Sequence, residues 1–309
     1  MDDEDVTRTL TGGEGSPVDV HDLDAGLIVG RYTLTERLGQ GGAGIVWAAS
    51  DPLVGDEVAI KFVPWLEARA MRQYRRELAT LLVLQIPGVV RLRDEGEHGS
   101  YVYVVTERIH GQPFSALAQD APDAWMPSAL ALLDTLARVH LAGITHADLK
   151  PSNVLVDDEG RPTVLDFGLA RRRGPGAAHD GVIEGTPRYM APEQRRGDPV
   201  SPRTDVYSLG GMLLEMVVGA PLTSPPDLSR LDGRSLPRGL DDQLRRMLAV
   251  EPDDRPASAM EVLLALDVDP LPDPVRWSGE GPWTQEQLER LFDDVEESLL
   301  HLAEDGAAL

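Results

Sequence analysis

Between residues 32 and 107 the chain runs in short stretches that alternate apolar and polar positions. YTLTERLG (32–39), GIVWAAS (44–50), DEVAIKFV (56–63), VVRLRDEGE (89–97) and YVYVVTE (101–107) follow the strand pattern. GEHGS (96–100) supplies a turn between the last two. One segment departs from this pattern: EARAMRQYRRELATLLVLQ (67–85) has helical spacing. Residues 30–109 therefore predict an antiparallel sheet with a single helix.

Further on the period lengthens. Residues 127–142 predict an amphipathic helix, with Leu130, Leu133, Ala137 and His140/Leu141 on one side and Pro127 in its first turn. After residue 190 the pattern is mostly helical, and DVYSLGGMLLEMVVG (205–219) is apolar nearly all round, so it predicts a buried helix. PLPDPVRWSGEGPW (270–283) reads as a Pro/Gly-rich linker. A last helix follows, opened by a Thr284/Gln287 capping box and striped by Leu288, Leu291, Phe292, Val295, Leu299 and Leu302. The fold class is α+β. Its divisions are an acidic, disordered tail (1–26), a sheet-rich unit (27–109), a helical unit (110–268), and a linker with a terminal helix (269–309).

Composition narrows the function classes. With 309 residues and 42% apolar content, the chain has room for two lobes with cores. No apolar run reaches 18 residues, and the start MDDEDV is the opposite of a basic signal sequence, so no membrane partner is expected. The absence of cysteine excludes disulfides and thiolate metal sites and fits a cytoplasmic location. Net charge is −23, of which residues 1–26 carry −7 and residues 267–309 carry −10. Apart from Arg171-Arg172-Arg173 no positive charge is concentrated, so no nucleic-acid partner is expected. The acidic ends serve solubility or partner choice.

Five stretches carry candidate chemistry. In LGQGGAGIVW, Gly39, Gly41 and Gly44 fit G-x-G-x-x-G and Val46 extends it. A strand follows rather than a helix, as in the hairpin that lies over ATP phosphates. Lys61 ends the apolar strand Val58-Ala59-Ile60 and needs an anion; Glu77, one turn before Leu81, is its carboxylate partner, with Glu67 as the alternative. ITHADLKPSNVLV (144–156) sets Asp148, Lys150 and Asn153 between apolar runs, and Asp166-Phe167-Gly168 follows the strand PTVL. Asn153 and Asp166 are oxygen ligands of the kind Mg2+ takes when it also holds phosphates. The fifth stretch is GTPRYMAPEQ (185–194).

In this order and spacing the motifs resemble those of bacterial eukaryotic-type (Hanks-type) serine/threonine protein kinases, over residues 30–268. The resemblance implies a bilobal kinase fold, ATP with Mg2+ or Mn2+, and protein substrates with Ser/Thr acceptors. It implies that Lys61 contacts the ATP phosphates and pairs with Glu77, that Asp148 orients the attacking hydroxyl, and that Lys150 contacts the γ-phosphate. Asn153 and Asp166 would hold the metal. Thr106 would be the gatekeeper, with Glu107, Arg108 and Ile109 as the adenine-binding linker and Val46, Ala59 and Leu155 around the ring. Thr186 would bond Asp148 and Lys150; the rival reading makes it a phosphosite. His146, Phe167, Leu81 and Leu92 would stack into a spine, Glu193 would pair with Arg255, and Asp205 would brace the catalytic loop.

The chain also departs from that pattern. The usual His-Arg-Asp is His146-Ala147-Asp148, and residues 167–185 contain no Ser, Thr or Tyr. Both halves of a phosphorylation switch are missing, so activity is expected not to depend on phosphorylation there. Gly219 to Leu240 is short for a docking helix. Residues 284–303 pack on the kinase body or serve as a partner or dimer helix, with Trp277 and Trp283 as anchors. Two other functions remain open: a nucleotide-binding pseudokinase scaffold and a small-molecule phosphotransferase.

Overall fold

The computed structural model describes residues 23–41, 44–64, 68–119, 122–168, 171–172 and 188–266. Thr186, Trp277, Trp283 and the terminal helix expected at 284–303 lie outside the described residues, as does most of the acidic N-terminal segment.

The first unit is a six-stranded antiparallel sheet with the order β1-β2-β3-β4-β6-β5. Its strands are β1 (Ile28–Val29), β2 (Tyr32–Gly41), β3 (Gly44–Ser50), β4 (Glu57–Pro64), β5 (Leu92–His98) and β6 (Tyr101–Glu107). Helix α1 (Ala68–Val83) connects β4 to β5. Alternation along the strands divides the sheet into two faces. Val58, Ile60 and Phe62 point into one core with Tyr32, Leu34, Tyr103 and Val105. Val63, Val102 and Val104 join the other, continuous with α1 and the helical unit. Within residues 23–26, assigned from sequence to the tail, Leu23 is buried and Gly26 N–H donates to the Leu34 carbonyl, while 24–26 are exposed.

The helical unit begins with short strand β7 (Gln112–Pro113), a 3-10 turn (Phe114–Gln119) and α2 (Pro122–Leu141). The start expected at Pro127 is corrected. Pro122 opens the helix, where a missing N–H costs nothing, and Pro127 lies inside it. Leu130, Leu133, Ala137 and His140 are buried, but Leu141, grouped with them from sequence, is exposed. Strands β8 (Ile144–Thr145), β9 (Val154–Val156), β10 (Pro162–Val164) and β11 (Arg171–Arg172) follow. They form the sheets β10-β9-β7 and β11-β8. Helices α3 (Pro192–Arg196), α4 (Pro202–Val218), α5 (Leu240–Met247) and α6 (Ala259–Ala265) complete the described part. Helix α4 is buried through most of its length, as its all-round apolar sequence requires. Between α4 and α5 the regular structure is one 3-10 turn, Leu228–Leu231. Among the described residues no helix is long and apolar enough to cross a membrane.

The chain passes between the units after β6, through residues 108–111. They also meet behind the cleft, where Val90 N–H donates to the Val164 carbonyl and Val164 N–H to that of Gly88. Gly88 has φ +85°, and a Cβ there would lie 2.3 Å from Thr135 Oγ1 on α2.

Candidate functional site

The cleft between the two units collects most of the sequence-predicted residues. On β4, exposure alternates so that Ala59 and Lys61 turn away from the outer core. Register places Val46 of β3 opposite Lys61, and Thr106 of β6 opposite Ala59. Val46, Ala59 and Leu155 of β9 are half-buried between buried neighbours, and Thr106 is half-buried where the buried run of β6 ends. The β2–β3 hairpin closes on the pair Gly41 and Gly44, with Gly39 opposite Val46. Gly44 is required by the sheet itself: φ is +134° and a Cβ would lie 2.1 Å from the Phe62 carbonyl oxygen. At the end of β6, Glu107 N–H donates to the Arg91 carbonyl, and Glu107 Oε1 accepts Arg91 N–H. Beyond it the strand ends, and Ile109 packs on the core.

Lys61 Nζ bridges two carboxylates, 2.6 Å from Glu77 Oε2 on α1 and 2.8 Å from Asp166 Oδ1. The side chains of Lys61 and Glu77 are 14% and 6% exposed, that of Asp166 36%, so Asp166 is the open end of the cluster. Burial alone would lower Lys61, but the two carboxylates outweigh it and hold the ammonium above its usual range. Burial would likewise raise Asp166, yet Lys61 holds it down to about 2. For Glu77 burial wins, and its pKa is pushed up against the pull of Lys61. Glu67 lies outside the described residues, so its alternative pairing receives no geometry.

The loop after β8 is fixed largely through its backbone. Asp205, buried on α4, accepts His146 N–H at 2.7 Å and Ala147 N–H at 2.9 Å. Its Oδ2 also meets His140 Nε2 at 3.0 Å, and His140 Nδ1 accepts Ala259 N–H. Since Nδ1 is an acceptor, Nε2 carries the proton and donates to Asp205. His146 is arranged the same way: Nδ1 accepts Asp148 N–H, which leaves Nε2 to donate to the Leu165 carbonyl. Its ring packs 4.7 Å from that of Phe167. Leu81 is buried in the same core, with Leu92 packed against it.

The polar side chains of this loop meet at Asp148. Lys150 Nζ lies 2.7 Å from Asp148 Oδ2, and Asn153 Nδ2 donates to the Asp148 carbonyl at 2.9 Å and to Oδ2 at 3.3 Å. Because Nδ2 is spent on Asp148, Asn153 has its carbonyl oxygen to offer a cation. Asp166 adds a carboxylate with φ +56°, a left-handed conformation that Asp tolerates better than most residues. No group of three or more metal-ligating His, Cys, Asp or Glu side chains exists among the described residues. One amide and one carboxylate oxygen are hard ligands too few to hold Mg2+ alone, so they suit a cation whose other ligands are phosphate oxygens and water.

Beneath the loop, Arg255 donates to both oxygens of Glu193 at 2.8 and 2.9 Å, and to the carbonyls of Ala249, Val250 and Arg203. The two side chains are 0% and 3% exposed, which makes this a buried pair. Gln194 was not singled out from sequence. It bonds the backbone of Ala147, and an amide beside Glu193 carries no signal of that contact.

Residues 32–264 match the family model described as the protein kinase domain. Among curated relatives, the chain is 36% identical over 256 residues to the DNA damage-responsive serine/threonine-protein kinase RqkA of Deinococcus radiodurans; the match covers 75% of this chain and 38% of that protein. It is 34% identical over 203 residues to the serine/threonine-protein kinase PknA of Mycobacterium tuberculosis, covering 62% and 47%. It is 33% identical over 278 residues to the serine/threonine-protein kinase pkn2 of Myxococcus xanthus, covering 79% and 33%. The matched region spans less than half the length of each of these relatives.

Proposed function

The chain belongs to the protein kinase domain family, and from that membership we propose that it transfers the γ-phosphoryl group of ATP to Ser/Thr hydroxyls of proteins. The observation that carries this reading is Lys61 bridging Glu77 and Asp166 while Asp148 is held between Lys150 and Asn153. Phosphoryl transfer needs positioning and neutralisation of charge more than covalent help, and these residues offer both.

Lys61, fixed by Glu77, neutralises phosphate charge below the β2–β3 hairpin, whose Gly39, Gly41 and Gly44 admit close backbone approach. Val46, Ala59 and Leu155 enclose the base, next to Thr106 and the linker of Glu107, Arg108 and Ile109. Asp148 accepts the proton of the attacking hydroxyl, and Lys150 steadies the transferred group. Thr186, by the family pattern, would bond Asp148 and Lys150. Asn153 and Asp166 would hold Mg2+, which, when bound, neutralises the phosphates.

The reading includes independence from phosphorylation at residues 167–185, which contain no hydroxyl, with Ala147 where a phosphate-binding arginine would stand. Phosphatase treatment should leave activity intact; a loss mapped to Thr186 would make that residue the switch. The main test is labelled ATP with a generic protein substrate, wild type against Asp148→Asn. Incorporation should fall by about 10³-fold or more. Equal incorporation by both proteins would refute the assignment.

A further inference from the structure

Gln194, on α3 beside Glu193, is buried with an exposure of 7%. Both ends of its amide are engaged. Oε1 accepts Ala191 N–H at 3.1 Å, and Nε2 donates to the Ala147 carbonyl at 2.7 Å. Ala147 has φ +64°, a conformation that a residue with a Cβ rarely adopts and that needs support from its surroundings. Its N–H is held by Asp205 and its carbonyl by Gln194. The peptide leading into Asp148 is therefore anchored by one buried amide that reaches across from the end of the GTPRYMAPEQ stretch.

We propose that Gln194 is a positioning residue for phosphoryl transfer, clamping the Ala147 peptide, and through it the Asp148 carboxylate, to the anchor of the 185–194 segment. The proposal rests on the kinase reading, in which Asp148 meets the substrate hydroxyl. A neutral amide suits the task because it donates and accepts at once. An ionised glutamate cannot donate, and would turn an oxygen toward the Ala147 carbonyl. The clamp needs no modification to form. It joins the catalytic loop to the activation segment in a chain where residue 147 is Ala and residues 167–185 carry no hydroxyl.

The test compares full-length wild type with Gln194→Glu, or with Gln194→Met where the glutamate variant fails to fold. Two measurements are made: steady-state kinetics with ATP and a generic protein substrate, and amide hydrogen exchange in peptides covering 144–153 and α4. The expected result is a kcat at least threefold lower with the KM for ATP within twofold. Exchange should be at least threefold faster in 144–153 and unchanged in α4. A smaller fall in kcat, a parallel loss of ATP affinity, or faster exchange through α4 as well overturns the proposal and leaves Gln194 a general structural contact. An inactive wild type instead sinks the kinase reading, and exchange in 144–153 then decides alone whether Gln194 holds the loop.

Discussion

At the scale of residues, Lys61 is the counter-charge that allows two carboxylates to share the cleft. Lys61→Met would leave buried Glu77 and half-buried Asp166 facing each other without it. Phosphoryl transfer should fall by about 10²- to 10³-fold, the usual cost of losing one transition-state donor. The same change should appear in the acid limb of stability. Asp166 is held at about 2 against its usual 3.8, so its ionic contribution is complete above pH 3.8 and lost as pH falls toward 2. The gap in unfolding midpoint between wild type and Lys61→Met should therefore narrow between pH 7 and pH 3. A gap constant with pH would show that Lys61 acts by packing alone. The groupings of Lys61 with Glu77 and of Asp148 with Lys150 and Asn153 were legible from sequence because charged and amide side chains stand out between apolar runs. Gln194 was not, because its function is to bond backbone, and a sequence does not show which peptide groups require a partner.

Elements were legible where their period was long enough to read. The ten-residue β2 and the seven- and eight-residue strands β3 and β4 show their alternation plainly. The two-residue strands β1, β7, β8 and β11 carry no period at all and exist because neighbouring strands offer them partners. Pro127 suits a first turn, but α2 begins at Pro122 and carries buried Trp125 ahead of Pro127, a turn that the apolar spacing after Pro127 does not reveal. Between elements, Arg255 is the tie with the most at stake. It joins α3 to the turn before α6 and satisfies three carbonyls besides Glu193. Arg255→Met should destabilise by about 3–5 kcal/mol in denaturant unfolding, since it strands a buried carboxylate. Arg255→Lys should recover little, because one ammonium cannot span both oxygens and the carbonyls. The double variant with Glu193→Gln should lose less than the two single losses added.

For the whole molecule, ligand binding offers the broadest check. A non-hydrolysable ATP analogue with Mg2+ at 100 times its Kd should stabilise wild type by about 2.7 kcal/mol. Asp148→Asn should gain as much, since Asp148 is assigned to the hydroxyl and not to the nucleotide. Lys61→Met should gain much less at the same concentration. An equal gain in all three would place the nucleotide away from Lys61.

The contact among Gly88, Val89, Val90 and Val164 changes how the upper sheet is free to move. Residues 108–111 are one fastening and the Val164 bonds are the other. The second crossing holds the sheet that carries the glycine hairpin and Lys61 to β10, the strand that leads into Asp166. Gly88 is what lets the chain pass this close to α2: a Cβ there would stand 2.3 Å from Thr135 Oγ1, so any larger residue would push the two units apart at this crossing.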